Sequence, residues 1–167
     1  MRIEITKGLR EDGILICRDD GSSAQTTFPK KGPVPHDAVH WWVERELGLR
    51  NAFWGMVSDG FHPEAITTFA KEAGHASAKR ARVPDATIVE LLQAERLVEC
   101  FEADLWSPGG SDVDFVDLAE TACAYSHVPS PASLAPDKVN RIRGELASFA
   151  MAWSQAPQGH VEILEWE

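Results

Sequence analysis

The sequence is poor in cysteine and has no long apolar run, and these two absences exclude several classes of protein. Its three cysteines lie far apart and form no C-x-x-C pair, so they do not build the dense, even-numbered disulfide framework of a small secreted domain. No stretch approaches the ~18 consecutive apolar residues of a membrane helix. The charged, alternating start MRIEITKGLREDG lacks the apolar centre of a signal peptide. We therefore expect a soluble, cytoplasmic protein in which Cys17, Cys100 and Cys123 pack as small hydrophobic residues; a catalytic thiol is the alternative.

The charge distribution and the missing motifs narrow the range of functions. The formal net charge is −10, and residues 85–167 carry 15 acidic against 4 basic side chains. Such a field repels phosphate groups, so we expect no binding to nucleic acid or to an anionic membrane. The basic stretch AKRAR at residues 78–82 is interpreted as a complement to this acidic half, with a phosphate site as the alternative. The chain has no G-x-S-x-G, P-loop or G-x-G-x-x-G motif to support a serine hydrolase, an NTPase or a dinucleotide-binding protein.

Hydrophobic periodicity predicts an α+β fold in a single domain spanning residues 1–167. The length of 167 residues and the hydrophobic content of 44% suit one sizeable core. Residues 1–28 alternate apolar and polar side chains and contain an Asp-Gly turn, which predicts a three-stranded meander. Residues 35–156 follow a helical period, and residues 160–166 return to a strand. The predicted architecture is a small, mainly antiparallel sheet packed against a helical layer or bundle.

The C-terminal strand carries apolar side chains on both faces. Val161 and Ile163 point to one side, whereas Leu164 and Trp166 point to the other. This pattern predicts a strand that lies beside the first one, with protein covering both of its faces.

The unusual residues concentrate at the start of the first helix, in the segment PHDAVHWWVE at residues 35–44. At about 100° per residue, His36, His40, Glu44 and Asp37 fall in one polar sector at the edge of the buried face. Two histidines four residues apart on a helix can bind one metal ion, as in H-E-x-x-H sites. The sequence therefore predicts a site for a divalent metal or a small ligand, with His36, His40 and Glu44 as metal-binding candidates. Asp37 is the candidate base or helix cap.

Helix geometry limits what this segment can supply alone. Glu44 lies eight residues after His36, or ~12 Å along the helix, so it cannot share one ion with His36. It can instead orient His40 as a hydrogen-bonded carboxylate. A third ligand must then come from elsewhere, and the candidates are His62, His75, His127 or an acidic side chain from residues 95–120. The chemistry expected of a bound metal is activation of water, with a nearby carboxylate as base.

Two other interpretations of the same helix stay open. Asp37 lies in the first turn, where its carboxylate meets the positive end of the helix dipole and can accept hydrogen bonds from free N–H groups. His40 and Glu44 have the spacing of a simple pair on one helix face. The segment would then cap and tie the helix without binding anything. An acid/base pair that works without a metal is the third interpretation.

The segment FPKKGPVPHDAVHWWVERELGLRNAFWGMVSDG, residues 28–60, also carries a resemblance. It is similar to bacterial proteins of uncharacterised function that share a Pro-His-Asp-x-x-His-x-x-x-Glu helix followed by a Gly-Phe-Trp-Gly-like turn. Here the turn reads Asn51-Ala52-Phe53-Trp54-Gly55. The resemblance covers about a fifth of the chain. It implies a shared helix and turn and brings no activity, substrate or cofactor with it.

The acidic helices predicted over residues 85–120 support a second class of function. Glu95, Glu99 and Glu102 lie along one side of their helix, beside its apolar stripe. A carboxylate row of this kind is usually a solvated face. The rival hypothesis is a protein-interaction module in which these helices engage a basic partner, while the helix with His36 and His40 serves structure alone.

Overall fold

The computed structural model describes residues 1–30, 32–70 and 85–167 of the chain. The predictions made for His75 and for the basic stretch at residues 78–82 lie outside these residues. Among the described residues, no helix combines the length and the hydropathy that a bilayer span requires.

Four antiparallel strands form one sheet. The first three, β1 (Arg2–Thr6), β2 (Glu11–Cys17) and β3 (Ser23–Pro29), make the meander, and β4 (Val161–Glu165) pairs with β1. The strand order is β3-β2-β1-β4. Because side chains alternate along a strand, the isoleucines of β1 and β2 all point to one face and are at most 2% exposed. The predicted α+β class, with its N-terminal meander and added C-terminal strand, is confirmed.

The prediction that protein covers both faces of the C-terminal strand is wrong. Leu164 faces the core and is buried, whereas Val161 and Ile163 are 40% and 48% exposed. The strand does lie beside β1, and Val161 and Ile163 lie on the sheet face opposite the buried isoleucines, where they meet solvent. Apolar side chains on both faces of the strand led to the prediction, but exposed apolar residues are common on protein surfaces.

The helices cover the inner face of the sheet. They are α1 (His36–Leu47), α2 (Phe53–Ser58), α3 (Pro63–Ala70), α4 (Val89–Trp106), α5 (Asp112–Tyr125) and α6 (Pro136–Gln155). Helix α1 is central, since it packs against both α4 and α6. Aromatic contacts reinforce this packing, with ring centroids 4.6 Å apart for Trp42 and Phe149 and 4.3 Å apart for Phe101 and Phe115.

Local signals in the sequence fix the ends of these helices. Gly48 takes a left-handed conformation (φ 69°) and ends α1, as its lack of a Cβ favours. Ser111 and Asp114 form a reciprocal capping box at the start of α5. Asp85 caps the short 3₁₀ turn Ala86–Ile88 that leads into α4.

The cysteines behave as hydrophobic residues. Cys100 and Cys123 are buried, and burial raises the pKa of both thiols, to about 11 for Cys123. A raised pKa keeps a thiol protonated and unreactive at neutral pH. The packing role expected for these two residues therefore agrees with the structure, and the catalytic-thiol alternative finds no support there.

Candidate metal centre

Helix α1 presents two histidines to helix α4. His36 is the first residue of α1 and His40 follows one turn later, so the two side chains lie on the same helix face. Their ring centroids are 4.8 Å apart in an edge-to-face arrangement. His40 is buried and His36 is partly buried. The helical spacing noted in the sequence thus brings the two rings into contact.

Glu95 of α4 completes a cluster with these histidines. Its Oε2 atom lies 3.3 Å from Nε2 of His40 and 3.8 Å from Nε2 of His36. The three candidate ligand atoms all lie within 4.8 Å of one another. Ligand atoms around a tetrahedral zinc ion, with bonds of ~2.0–2.1 Å, are about 3.3 Å apart. Small side-chain adjustments would therefore close the cluster around one ion.

The other nitrogen of each ring is held by a separate carboxylate. Nδ1 of His36 lies 2.9 Å from Glu102 Oε1, and Nδ1 of His40 lies 2.8 Å from Glu44 Oε1. An Nδ1–H group that donates to a carboxylate leaves Nε2 to act as a metal ligand, and metal-binding histidines almost always have such a partner. Both imidazoles are therefore already oriented with Nε2 toward Glu95.

Glu44 is itself fixed by the turn after α1. It is fully buried, and its Oε2 atom accepts a hydrogen bond of 2.8 Å from the backbone N–H of Trp54. Gly55 allows this turn, because a Cβ at that position would overlap the Arg50 carbonyl oxygen. The residues of the Asn51–Gly55 turn thus serve the site by supporting the carboxylate behind His40.

Contacts within the cluster shift the pKa values of its members away from their ordinary values. Burial lowers the pKa of His40, but its contacts with Glu44 and Glu95 outweigh burial and raise the pKa to about 10. The pKa of His36 is likewise raised, because hydrogen bonds with Glu102 and Glu95 overcome the effect of burial. Burial raises the pKa of Glu95, and the two histidines more than reverse that effect and lower it. The metal-free cluster is therefore a hydrogen-bonded network in which His40 is an imidazolium at neutral pH.

The cluster opens into a cavity of about 360 Å³ between the sheet, α1, α3 and α4. His36, Asp37, His40 and Glu95 form one part of its wall. The apolar part of the wall comes from several elements, namely Ile5, Ile14, Phe28, Phe53, Ile66, Ala70 and Leu91. Polar groups that converge at one side of an otherwise apolar cavity are typical of small-molecule sites.

The structure separates the predicted site residues into two groups. His36 and His40 lie in the cluster, whereas Glu44 lies behind His40, in the orienting position that helix geometry also allowed. The pairing of His40 with Glu44 on one helix face is present. Asp37 lines the cavity, and the N-cap position of α1 is Pro35, which offers no side-chain hydrogen bond.

Glu95, one of the acidic residues considered as a third ligand, is the residue that lies beside both histidines. Two of the alternative histidines lie elsewhere: His62 is exposed beside α3, and His127 is exposed after α5. The interpretation of the α4 carboxylates as a solvated row is wrong for Glu95 and Glu102, because both contact the histidines. The interaction-module hypothesis stays a prediction. Two of the three carboxylates on which it depends, Glu95 and Glu102, contact the histidines instead.

Glu102 as a partner of His36 was missed by the sequence analysis. Glu95 and Glu102 are seven residues apart and therefore share one face of α4 two turns apart. That spacing, beside an apolar stripe, was the available signal. It did not show that the opposing helix would carry histidines.

Comparisons of the chain with protein-family models, with curated proteins and with solved structures find no match. The function is therefore argued from the site alone.

Proposed function

We propose that His36, His40 and Glu95 bind one divalent transition-metal ion, and that the protein is an enzyme in which this ion activates water. Two imidazoles and one carboxylate are a ligand set used for catalytic zinc and for non-haem iron(II). Three protein ligands leave at least one coordination position for water or substrate. The ion would lower the pKa of a bound water from 15.7 to about 7, which supplies hydroxide at neutral pH.

The observation that carries this proposal is the opposite use of the two nitrogens in each ring. Each Nδ1 contacts its own carboxylate, Glu102 or Glu44, while both Nε2 atoms converge on Glu95. A capping or pairing role accounts for the Nδ1 contacts, and the added convergence of both Nε2 atoms on one carboxylate is the arrangement that a shared ion requires. The adjoining cavity gives a substrate access to the ligand cluster, and Asp37 in its wall is the carboxylate we assign as base.

Metal content tests the proposal. Protein prepared in medium with zinc, iron and manganese is analysed for metals, and zinc affinity is measured by titration calorimetry. We compare Glu95→Gln with Glu99→Gln, a matched control on the same helix whose side chain is 47% exposed and pairs with Arg96. We expect about one ion per chain in the wild type and in Glu99→Gln, and loss of the stoichiometric ion in Glu95→Gln.

Two outcomes would contradict the proposal. One is equal metal content in Glu95→Gln and wild type. The other is a wild-type protein that binds no metal while a His36→Ala/His40→Ala variant loses much of its folding stability, which would assign the cluster a structural role. Circular dichroism on every variant separates loss of the site from loss of the fold.

A further inference from the structure

The cavity beside the cluster has the size of a small-molecule site. Its volume of about 360 Å³ is near the lower end of the ~300–1,000 Å³ range of ligand pockets. It is bounded by the sheet through Ile5 and Ile14 and by the helices through Ile66 and Leu91. These four side chains are almost completely buried, so the wall is rigid and apolar. A polymer or a nucleotide cofactor does not suit such a volume, whereas a single ring with a short substituent does.

Charge at the metal side of the cavity disfavours an anionic ligand. Four carboxylates lie near the position proposed for the divalent ion. They are Glu95 and Asp37 in the cavity wall, and Glu44 and Glu102 behind the imidazoles. Together these carboxylates offset the charge of the ion, so an added phosphate or carboxylate would meet repulsion. A cationic ligand fits no better, because it would lose its hydration against a largely apolar wall that cannot solvate the charge.

The remaining charges of the wall cancel each other. Lys30 is the one cationic side chain among the lining residues that the structure describes, and its Nζ atom lies 3.3 Å from Asp12 Oδ1. Asp12 also accepts a hydrogen bond of 3.0 Å from the backbone N–H of Gly8. This carboxylate and ammonium are therefore already partnered within the protein.

We propose that the cavity takes an uncharged, mainly apolar small molecule whose carbonyl or hydroxyl oxygen reaches the metal. This inference rests on the proposed metal site and adds the chemical class of its substrate. An amide or an ester with an aromatic or branched aliphatic body has the required chemistry: a neutral oxygen for the ion and an apolar part for the isoleucine wall.

A series of probes that differ in charge but little in shape tests the inference. Phenylacetamide, phenylacetate and 2-phenylethylamine are titrated into zinc-loaded protein, and binding is followed by ligand-observed NMR. We expect phenylacetamide to bind at least tenfold more tightly than the other two. Tighter binding of phenylacetate, equal binding of all three, or no binding of the amide would overturn the inference.

Two threonines of α3 provide matched variants for locating the bound probe. Thr67 lines the cavity, whereas its neighbour Thr68 does not, and both hydroxyl groups donate to the backbone carbonyl four residues earlier. Thr67→Trp should weaken phenylacetamide binding tenfold or more, and Thr68→Trp should leave it unchanged. Equal effects of the two substitutions would show that the amide binds elsewhere and would overturn the inference.

Metal content is measured on the same samples. A protein that retains one zinc ion per chain but fails the probe tests disproves the substrate class and leaves the metal site standing. A protein that holds no zinc disproves both.

Discussion

Replacement of Glu44 by glutamine tests the site through a residue that is not itself a ligand. Glu44 is fully buried, lies 2.8 Å from Nδ1 of His40 and accepts a hydrogen bond from Trp54. An amide of the same shape keeps the packing but removes the charge that orients and polarises the imidazole. Loss of such a partner typically weakens metal binding 10–100-fold.

The size of the effect follows from the linkage between binding and stability. At a free metal concentration 100 times the dissociation constant, binding stabilises the wild type by about 2.7 kcal/mol. For a chain of this length 1 kcal/mol corresponds to about 3 °C in Tm, so the metal should raise Tm by about 8 °C. With 10–100-fold weaker binding at the same metal concentration, the gain falls to about 0.4–1.4 kcal/mol, or about 1–4 °C.

The assay is differential scanning calorimetry with a zinc buffer and with EDTA. Glu46→Gln is the matched control, because Glu46 lies in the same helix but pairs with Lys138 and Arg141 of α6. We expect Glu46→Gln to lower Tm equally in both buffers and to keep the wild-type rise with zinc. A Glu44→Gln protein with the same zinc-induced rise as the wild type would refute the reasoning.

Five further predictions concern pH and the fold. The metal-free protein should lose stability in calorimetry as the pH rises from ~6.5 to about 10. Over this window His40, whose pKa is raised to about 10 despite its burial, loses a charge that neighbouring carboxylates stabilise. A Tm that rises between these pH values would contradict the hydrogen-bonded network around His40. Zinc affinity, in contrast, should rise with pH in calorimetric titrations, since protons must leave both imidazoles before the metal binds; a flat profile would count against histidine ligation. Gly55→Ala should cost about 3 kcal/mol or more in denaturant unfolding, because the new Cβ meets the Arg50 carbonyl. Ser111→Ala, which removes a helix cap, should lower the free energy of unfolding by only ~1 kcal/mol. Phe101→Ala in the core should lower it by ~3–5 kcal/mol. Similar losses for all three substitutions would contradict these assignments of the local interactions.

The helices and strands could be predicted from the sequence, because the spacing of apolar residues and the residues at turns and helix ends are local signals. The alternation of Ile3 and Ile5 and the Asp-Gly turn predict the meander, and Ser111 marks the start of α5 in advance. The solvent exposure of β4 could not be predicted, because Val161 and Ile163 give the same sequence pattern whether solvent or protein covers them. Whether anything packs over the face opposite the buried isoleucines decides that question.

The sequence identified the two histidines of the site but not which carboxylates of α4 contact them. His36 and His40 share a helix, so their spacing alone brings the rings together. Glu95 comes from a helix more than 50 residues later, and its approach depends on how α4 packs against α1. A carboxylate in that helix has the same sequence signature whether it faces water, as Glu99 does, or a histidine.

The carboxylates behind the two imidazoles have a practical consequence for anyone who purifies this protein. Glu44 and Glu102 orient both rings without an ion, and the proposed set of two imidazoles and one carboxylate suits several first-row ions. Intrinsic preference then follows the general order in which nickel and copper outcompete iron. The ion recovered in a preparation would record the culture medium and the chromatography resin, so nickel-affinity steps should be avoided before the native ion is identified.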